Sequence, residues 1–342
     1  MLNEKLNSSL QNGNKNDEIL NSEVSDANLT LNSQEDAYIL ERNAILLNIS
    51  SYLLMGFMSF EVRLINIIFP LFPINSLMIF RHLGMYVMAM LFMKKNSIEF
   101  PRLGVVLEEK WVAFRCVLVY TGWYGFVIGM DYLRFSTMVC FGSLAPVFVM
   151  VFSVWILSEE FRIRYLIGLV ICLCGAFMII LNDKGISSSK VDSSSDTLRV
   201  MIGVFWGLFH SVCMSLLSVS TKIMVQKGFD NDVQLYYVGC SNFILSVLLV
   251  FYFGGVKESL NIGAIIMSFL NGILTYAGIK LLQMSFKNSQ IIKLTSIAYI
   301  ATIQGFFLGA IFLNEKVTLT DIIGSSFVLF YNLYNFYYPI KH

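Results

Sequence analysis

The sequence predicts an all-α integral membrane protein with ten transmembrane helices arranged as two inverted five-helix repeats. Three observations predict it: an apolar composition, apolar stretches of about 20 residues that recur along the chain, and an internal repeat. Of the 342 residues, 56% are hydrophobic and only 14% charged, against roughly 45–50% and 25% in an ordinary soluble domain. Mean hydropathy is +0.67. Backbone groups in lipid must be satisfied within their own segment, so the spans are helices; a closed barrel would show short alternating segments, which this chain lacks.

Residues 1–37 differ in kind, being rich in Asn, Ser, Asp, Glu and Gln. They cannot bury enough apolar area to offset chain entropy and are predicted to be a disordered cytosolic tail. No basic segment leads into an apolar run and a small-residue cleavage site, so no signal peptide is expected. Met1-Leu2-Asn3-Glu4 lacks the myristoylation glycine and Ile340-Lys341-His342 lacks a prenylated cysteine, so neither end implies a lipid anchor.

The spans are read at Arg42 to Ile65, Asn75 to Met93, Trp111 to Tyr132, Ser136 to Leu157, Tyr165 to Asn182, Arg199 to Val225, Val233 to Gly254, Ile262 to Phe286, Ser289 to Leu313 and Leu319 to Tyr338. Polar punctuation separates them, as at Lys94-Lys95-Asn96, Gly228-Phe229-Asp230-Asn231 and Asn314-Glu315-Lys316. The Ser/Asp run Ser187 to Asp196 divides a first half, 38–182, from a second, 199–339, with 183–198 as a polar linker. A shift of 156 positions lays Leu157-Ser158-Glu159 on Leu313-Asn314-Glu315, Ala145 on Ala301 and Gly168 on Gly324. Halves with an odd number of spans insert with opposite orientation, the inverted symmetry common in secondary transporters.

Lys and Arg in the connections favour both termini in the cytosol. With that orientation the inward connections hold Lys94, Lys95, Arg102, Lys110, Arg162, Arg164, Lys222, Lys227 and Lys287, the outward ones Arg134, Lys184, Lys190, Arg199, Lys257 and Lys316. Which membrane is involved, plasma membrane or endomembrane, is left open.

A net charge of +1 without a basic, aromatic-interleaved patch gives no reason to expect nucleic acid. Cys116, Cys140, Cys172, Cys174, Cys213 and Cys240 all lie in apolar stretches with no CxxC pair and no histidines at ligand spacing, so neither a disulfide scaffold nor a metal site is expected. There is no P-loop, HExxH or GxSxG, so ATP-driven pumping, enzymatic activity and a cofactor are not expected.

Ionisable side chains inside spans cost roughly 2.5–3.5 kcal/mol at the bilayer centre on insertion scales, so each needs a reason. Here they are Glu61, Arg63, Arg81, His82, Arg115, His210, Lys280 and Lys293. Arg115 and Lys280 sit near predicted helix ends, where snorkelling accounts for them. Arg81 and Lys293 lie deeper, and with Glu61 as the nearby acid the positive charge exceeds the negative; an anionic solute would neutralise it. The alternative is a structural bridge from Glu61 to Arg63 or Arg81. His210 reads as a hydrogen-bonded interior residue rather than a proton relay.

Polar stripes follow helical spacing at Ser211, Ser215, Ser218 and Lys222, at Ser136, Cys140 and Ser143, and at Thr295, Tyr299 and Thr302. Such stripes line a cavity or hydrogen-bond neighbouring helices. Tyr120, Trp123 and Tyr124 offer aromatic surface to a ring, or belong to the interfacial belt. The candidate solute-binding set is Arg81, Lys293, Ser211, Ser215, Tyr299 and Tyr124. Gly125/Gly129, Gly203/Gly207 and Gly305/Gly309 form GxxxG pairs that pack the bundle internally or, in the alternative, form a homodimer seam.

The stretch Phe135 to Phe148, with Gly142-Ser143-Leu144-Ala145-Pro146, continuing through Trp155-Ile156-Leu157-Ser158-Glu159-Glu160 to Gly168 and Gly175, resembles the end of an EamA-like half of the drug/metabolite transporter superfamily. The second half resembles it through Lys293 to Gly309 and Leu313-Asn314-Glu315, and Arg81 stands where many members keep an arginine. The likeness covers about Arg42 to Tyr338, with departures at Thr302, in place of a second-half proline, and at Tyr331, opposite Gly175. The resemblance implies transport of small organic solutes such as metabolites, nucleotide sugars or sugar phosphates. With few acids in the spans, facilitated diffusion or exchange by alternating access is the expected mechanism. A nontransporting receptor or regulatory protein is the alternative, ahead of an intramembrane enzyme.

Overall fold

A computed structural model describes residues 39–101, 109–142, 144–158, 193–253, 261–287 and 296–337, together with Leu294 and isolated positions between 167 and 178. Among them there is no strand. The helices are α1 (Ile39–Ile68), α2 (Ile74–Lys95), α3 (Lys110–Tyr132), α4 (Phe135–Gly142), α5 (Ala145–Leu157), α6 (Ser193–Gln226), α7 (Asn231–Phe253), α8 (Ile262–Lys287), α9 (Tyr299–Phe312) and α10 (Leu319–Tyr337). The predicted span Tyr165 to Asn182 lies largely outside the described residues, as do the tail, most of the linker, and Lys293.

Two predicted boundaries need correction. Helix α6 begins at Ser193, inside the stretch read as linker. The fourth span is two helices, α4 and α5, broken between Gly142 and Ala145, with Pro146 in the first turn of α5. Proline has no N–H to offer a preceding turn and is tolerated at a helix start, so the second piece begins there. A short 3-10 turn, Ser296–Ala298, precedes α9.

Among the described residues, seven helical segments are long and apolar enough to cross a membrane, counting α4 and α5 as one. Leu71, Trp155, Phe251, Tyr252 and Phe330 all stand exposed on the outside of the bundle, an apolar surface far beyond what water tolerates. The chain is a multi-pass membrane protein.

Inside, α3 packs on α6, α2 on α7 and α8, α5 on α6, and α4 on α9. Side chains join α1 to α8: the Asn48 amide donates to Ser285 Oγ at 3.0 Å, Ser51 Oγ donates to the Gly278 carbonyl at 2.7 Å, and the Asn271 amide donates to the Met58 carbonyl at 2.8 Å. The three GxxxG pairs pack within the chain, against Trp206 and Phe209, against Leu133 and Phe141, and against Val139 and Ser136. The tightest crossing uses two glycines outside those motifs. A methyl group on Gly272 would lie 2.0 Å from the Arg81 carbonyl oxygen, and one on Gly84 2.3 Å from that of Phe269.

Candidate functional site: a central cavity

The helices line a partly open cavity of about 90 Å³ walled by α1, α3, α4, α5, α6, α8 and the start of α9. Its lining has an internal correspondence: Met58 and Met214, Trp123 and Ile279, Phe126 and Leu282, Gly142 and Ala298, and Ala145 and Ala301 all face it, and the two members of each pair stand 156 positions apart. The breaks in the polar spans meet here too, since Gly142 and Ala145 flank one and Ala298 ends the 3-10 turn of the other. Thr302 stands where proline was expected, yet the helix there also starts beside a non-α turn.

Among the described residues the walls are mostly apolar, with Tyr52, Ser59, Arg115, His210, Ser218 and Thr221 as the polar contributions and no Asp or Glu. Arg115 is only 1% exposed. Its Nη1 donates to Thr221 Oγ1 at 2.5 Å, while Nε and Nη2 have no partner among the described residues. The expectation that Arg115 snorkels is overturned: its side chain turns inward across α6, because Thr221 supplies an acceptor there. Lys280 does not snorkel either. Its ammonium sits 2.7 Å from Asp232 Oδ1 and 4.2 Å from the Phe92 ring centre.

Arg81 is also 1% exposed. Its guanidinium lies 3.7 Å from the Trp123 ring centre, a cation–π contact, and Nη2 approaches Met58 Sδ at 3.6 Å. Trp123 and Met58 both line the cavity, so Arg81 sits directly behind its wall. Among the described residues Glu61 makes no direct ion-pair contact with Arg63 or Arg81, although its charge and that of Arg81 act on each other. Glu61 Oε2 instead accepts from Asn271 at 3.1 Å, and Arg63 donates to the Met130 carbonyl at 2.9 Å.

Ser211 and Ser215 lie off the cavity. Ser211 Oγ donates to the Phe141 carbonyl and Ser215 Oγ to that of Ala145 at 2.8 Å, tying α6 to both sides of the break between α4 and α5. Ser218, from the same stripe, does reach the wall. Tyr124 stacks on Tyr120 with ring centres 6.0 Å apart, while its neighbour Trp123 faces the cavity. Lys293 and the Tyr299 side chain lie outside the described residues. His210 is held as expected for an interior residue: Nδ1 is 2.8 Å from the Gly122 carbonyl, an acceptor only, so Nδ1 carries a proton.

At the end of the bundle where α4 begins, Glu315 closes the structure. Its carboxylate accepts from the Phe135 and Ser136 backbone N–H groups at 2.7 and 3.1 Å and from Ser136 Oγ at 2.6 Å, a capping arrangement that the positive helix end favours. Arg134 pairs with Asp321 at 3.3 Å beside it, and Phe60 packs between Phe135 and Phe312. Asn314, just before Glu315, has φ 53°, and Ser158 has φ 54°; these residues are also 156 apart.

Among the described residues the chain is a helical membrane bundle lining a cavity, an arrangement suited to a small-molecule membrane transporter. Residues 42–181 match the EamA-like transporter family, a match over part of the chain that is consistent with the drug/metabolite transporter superfamily. A solved crystal structure superposes with a TM-score of 0.63 over 84% of this chain and 94% of its own, at 13% identity, a likeness of fold alone. No curated protein matches the sequence.

Proposed function

We propose that the chain moves a small organic anion across a membrane by alternating access between two inverted five-helix halves that divide before α6. The observation that carries this reading is the cavity itself, walled by equivalent positions of both halves, with buried guanidinium groups at and behind its wall and no carboxylate in its lining. Arg115, whose printed partner is the neutral Thr221, is costly in a low-dielectric interior, and a bound anion would relieve that cost.

The helix contacts favour the inverted arrangement. Exchanging the halves turns the α3 to α6 contact into that of α8 to α1, and the α2 to α8 contact into that of α7 to α3, and each of these contacts is present. Broken helices at the midplane are the usual means by which such transporters expose polar backbone to a solute. In the cycle, Glu315 and the Arg134–Asp321 pair would part as one half rocks against the other, opening the end they close. Arg81 adds positive charge from behind Trp123.

The test is uptake by sealed proteoliposomes holding the full chain, offered carboxylates, sugar phosphates and nucleotide sugars, with nucleosides and organic cations as controls. Saturable uptake of an anion is expected, and Arg81→Gln should raise its KM about tenfold, corresponding to about 1.4 kcal/mol of lost binding. Saturable flux of neutral or cationic compounds alone would reject the anion reading, and an unchanged KM in Arg81→Gln would remove that residue from it.

A further inference from the structure

We propose that Arg115, with Thr221 behind it, is the receptor for the solute's oxyanion, and that the solute is a small organic carboxylate with an apolar or aromatic body. The inference rests on the anion-transport reading and narrows it. The argument starts from which nitrogens are occupied. In arginine, Nε and Nη2 share one edge of the guanidinium, the edge that grips both oxygens of a carboxylate or phosphate. Arg115 has that edge whole: Nη1 is engaged by Thr221 Oγ1, while Nε and Nη2 are buried without a partner. Thr221 passes its own proton to the Leu217 carbonyl at 2.7 Å, so its oxygen is fixed as an acceptor and holds the guanidinium in place.

Arg81 lacks this property. Its Nη2 is turned to Met58 Sδ, and its face is covered by Trp123, so the two remaining donors, Nε and Nη1, sit on different edges. Arg81 therefore contributes field, and Arg115 contributes the directed pair of hydrogen bonds.

The rest of the wall selects the body. Trp123 stands eight positions beyond Arg115 on α3, about 12 Å along the helix, so a solute anchored at Arg115 runs past apolar side chains toward the ring. With hydroxyls from Ser59, Tyr52 and Ser218 and one imidazole from His210 as the polar groups beyond Arg115 and Thr221 among the described residues, the wall offers few partners to a sugar's hydroxyls. With no acid in the lining it offers no counter-charge to an amino acid's ammonium group.

The experiment is calorimetric titration of the full chain in detergent with 3-phenylpropanoate, its amide, phenyl phosphate, glucose 6-phosphate and phenylalanine, on wild type, Arg115→Lys and Thr221→Val. The expected result is that 3-phenylpropanoate binds at least tenfold more tightly than its amide, glucose 6-phosphate and phenylalanine. Arg115→Lys should weaken it tenfold or more, because the charge stays but the paired donors go. Thr221→Val keeps the side chain's shape and should weaken it severalfold, so it decides the matter if Arg115→Lys does not yield folded protein. Tightest binding of phenyl phosphate would overturn the carboxylate, tightest binding of glucose 6-phosphate the apolar body. No binding of 3-phenylpropanoate, or equal affinities in wild type and Thr221→Val, would overturn the inference. Anion uptake by the wild-type chain separates that failure from failure of the transporter reading.

Discussion

Replacing Asp232 by Ala is expected to cost about 3–5 kcal/mol, the penalty for stranding one member of a buried ion pair. Asp232 opens α7 and is the hub of a cluster joining three helices. Its Oδ1 receives the Lys280 ammonium at 2.7 Å and the Tyr276 hydroxyl at 2.5 Å from α8, and its Oδ2 receives the Asn96 amide at 3.1 Å from the end of α2. The aspartate side chain is 4% exposed and the lysine 20%, so water can replace little of what is lost. The check is the thermal unfolding midpoint of the detergent-solubilised chain. Asp232→Ala should lower it by several degrees, and the double variant with Lys280→Met should recover most of the loss, because the stranded charge goes with its partner. A double variant as unstable as the single one would show that packing, rather than the charge pair, carries the effect.

Gly272→Val should also be destabilising. The α2 to α8 seam brings Gly272 so close to α2 that an added Cβ would stand 2.0 Å from the Arg81 carbonyl oxygen and 2.9 Å from the Met85 nitrogen. Those atoms are backbone and cannot rotate away, so the helices must separate, and overpacking of this kind costs about 1–3 kcal/mol or more. Because the displaced backbone belongs to Arg81, anion uptake should fall with stability. Gly278→Ala, six positions further along α8, is the control. There the nearest atom to a new Cβ is 3.5 Å away, an ordinary contact, and replacing a helix-interior glycine by alanine favours the helix by about 1 kcal/mol. Its midpoint should be unchanged or raised, and equal losses in both variants would refute the close-approach argument.

The glycine comparison shows where sequence reading stops. Gly84 and Gly272 are in no GxxxG pair, and nothing local distinguishes Gly272 from Gly278; the difference lies in the partner helix. The polar stripe of α6 divides in the same way. Ser211, Ser215 and Ser218 share one helical spacing, but Ser211 and Ser215 bind the carbonyls beside the α4–α5 break while Ser218 reaches the cavity. Arg115 was assigned to snorkelling because its distance from a helix end is visible in sequence, whereas Thr221 on another helix is not. One signal was available: the 156-residue interval, applied to Trp123, Phe126 and Gly142, leads to Ile279, Leu282 and Ala298 on the same wall.

By itself, the sequence determined that this is a helical, multi-pass membrane protein, where most spans begin and end, and its likeness to EamA-like transporters. Those properties follow from local composition, since a stretch of about 20 apolar residues must satisfy its own backbone in lipid whatever its neighbours do. The tertiary structure alone decided which buried charges are paired, which glycines cannot carry a side chain, and which polar residues reach the cavity. Each depends on the rotation and closeness of one helix against another, which are set by side-chain packing between segments far apart in the chain.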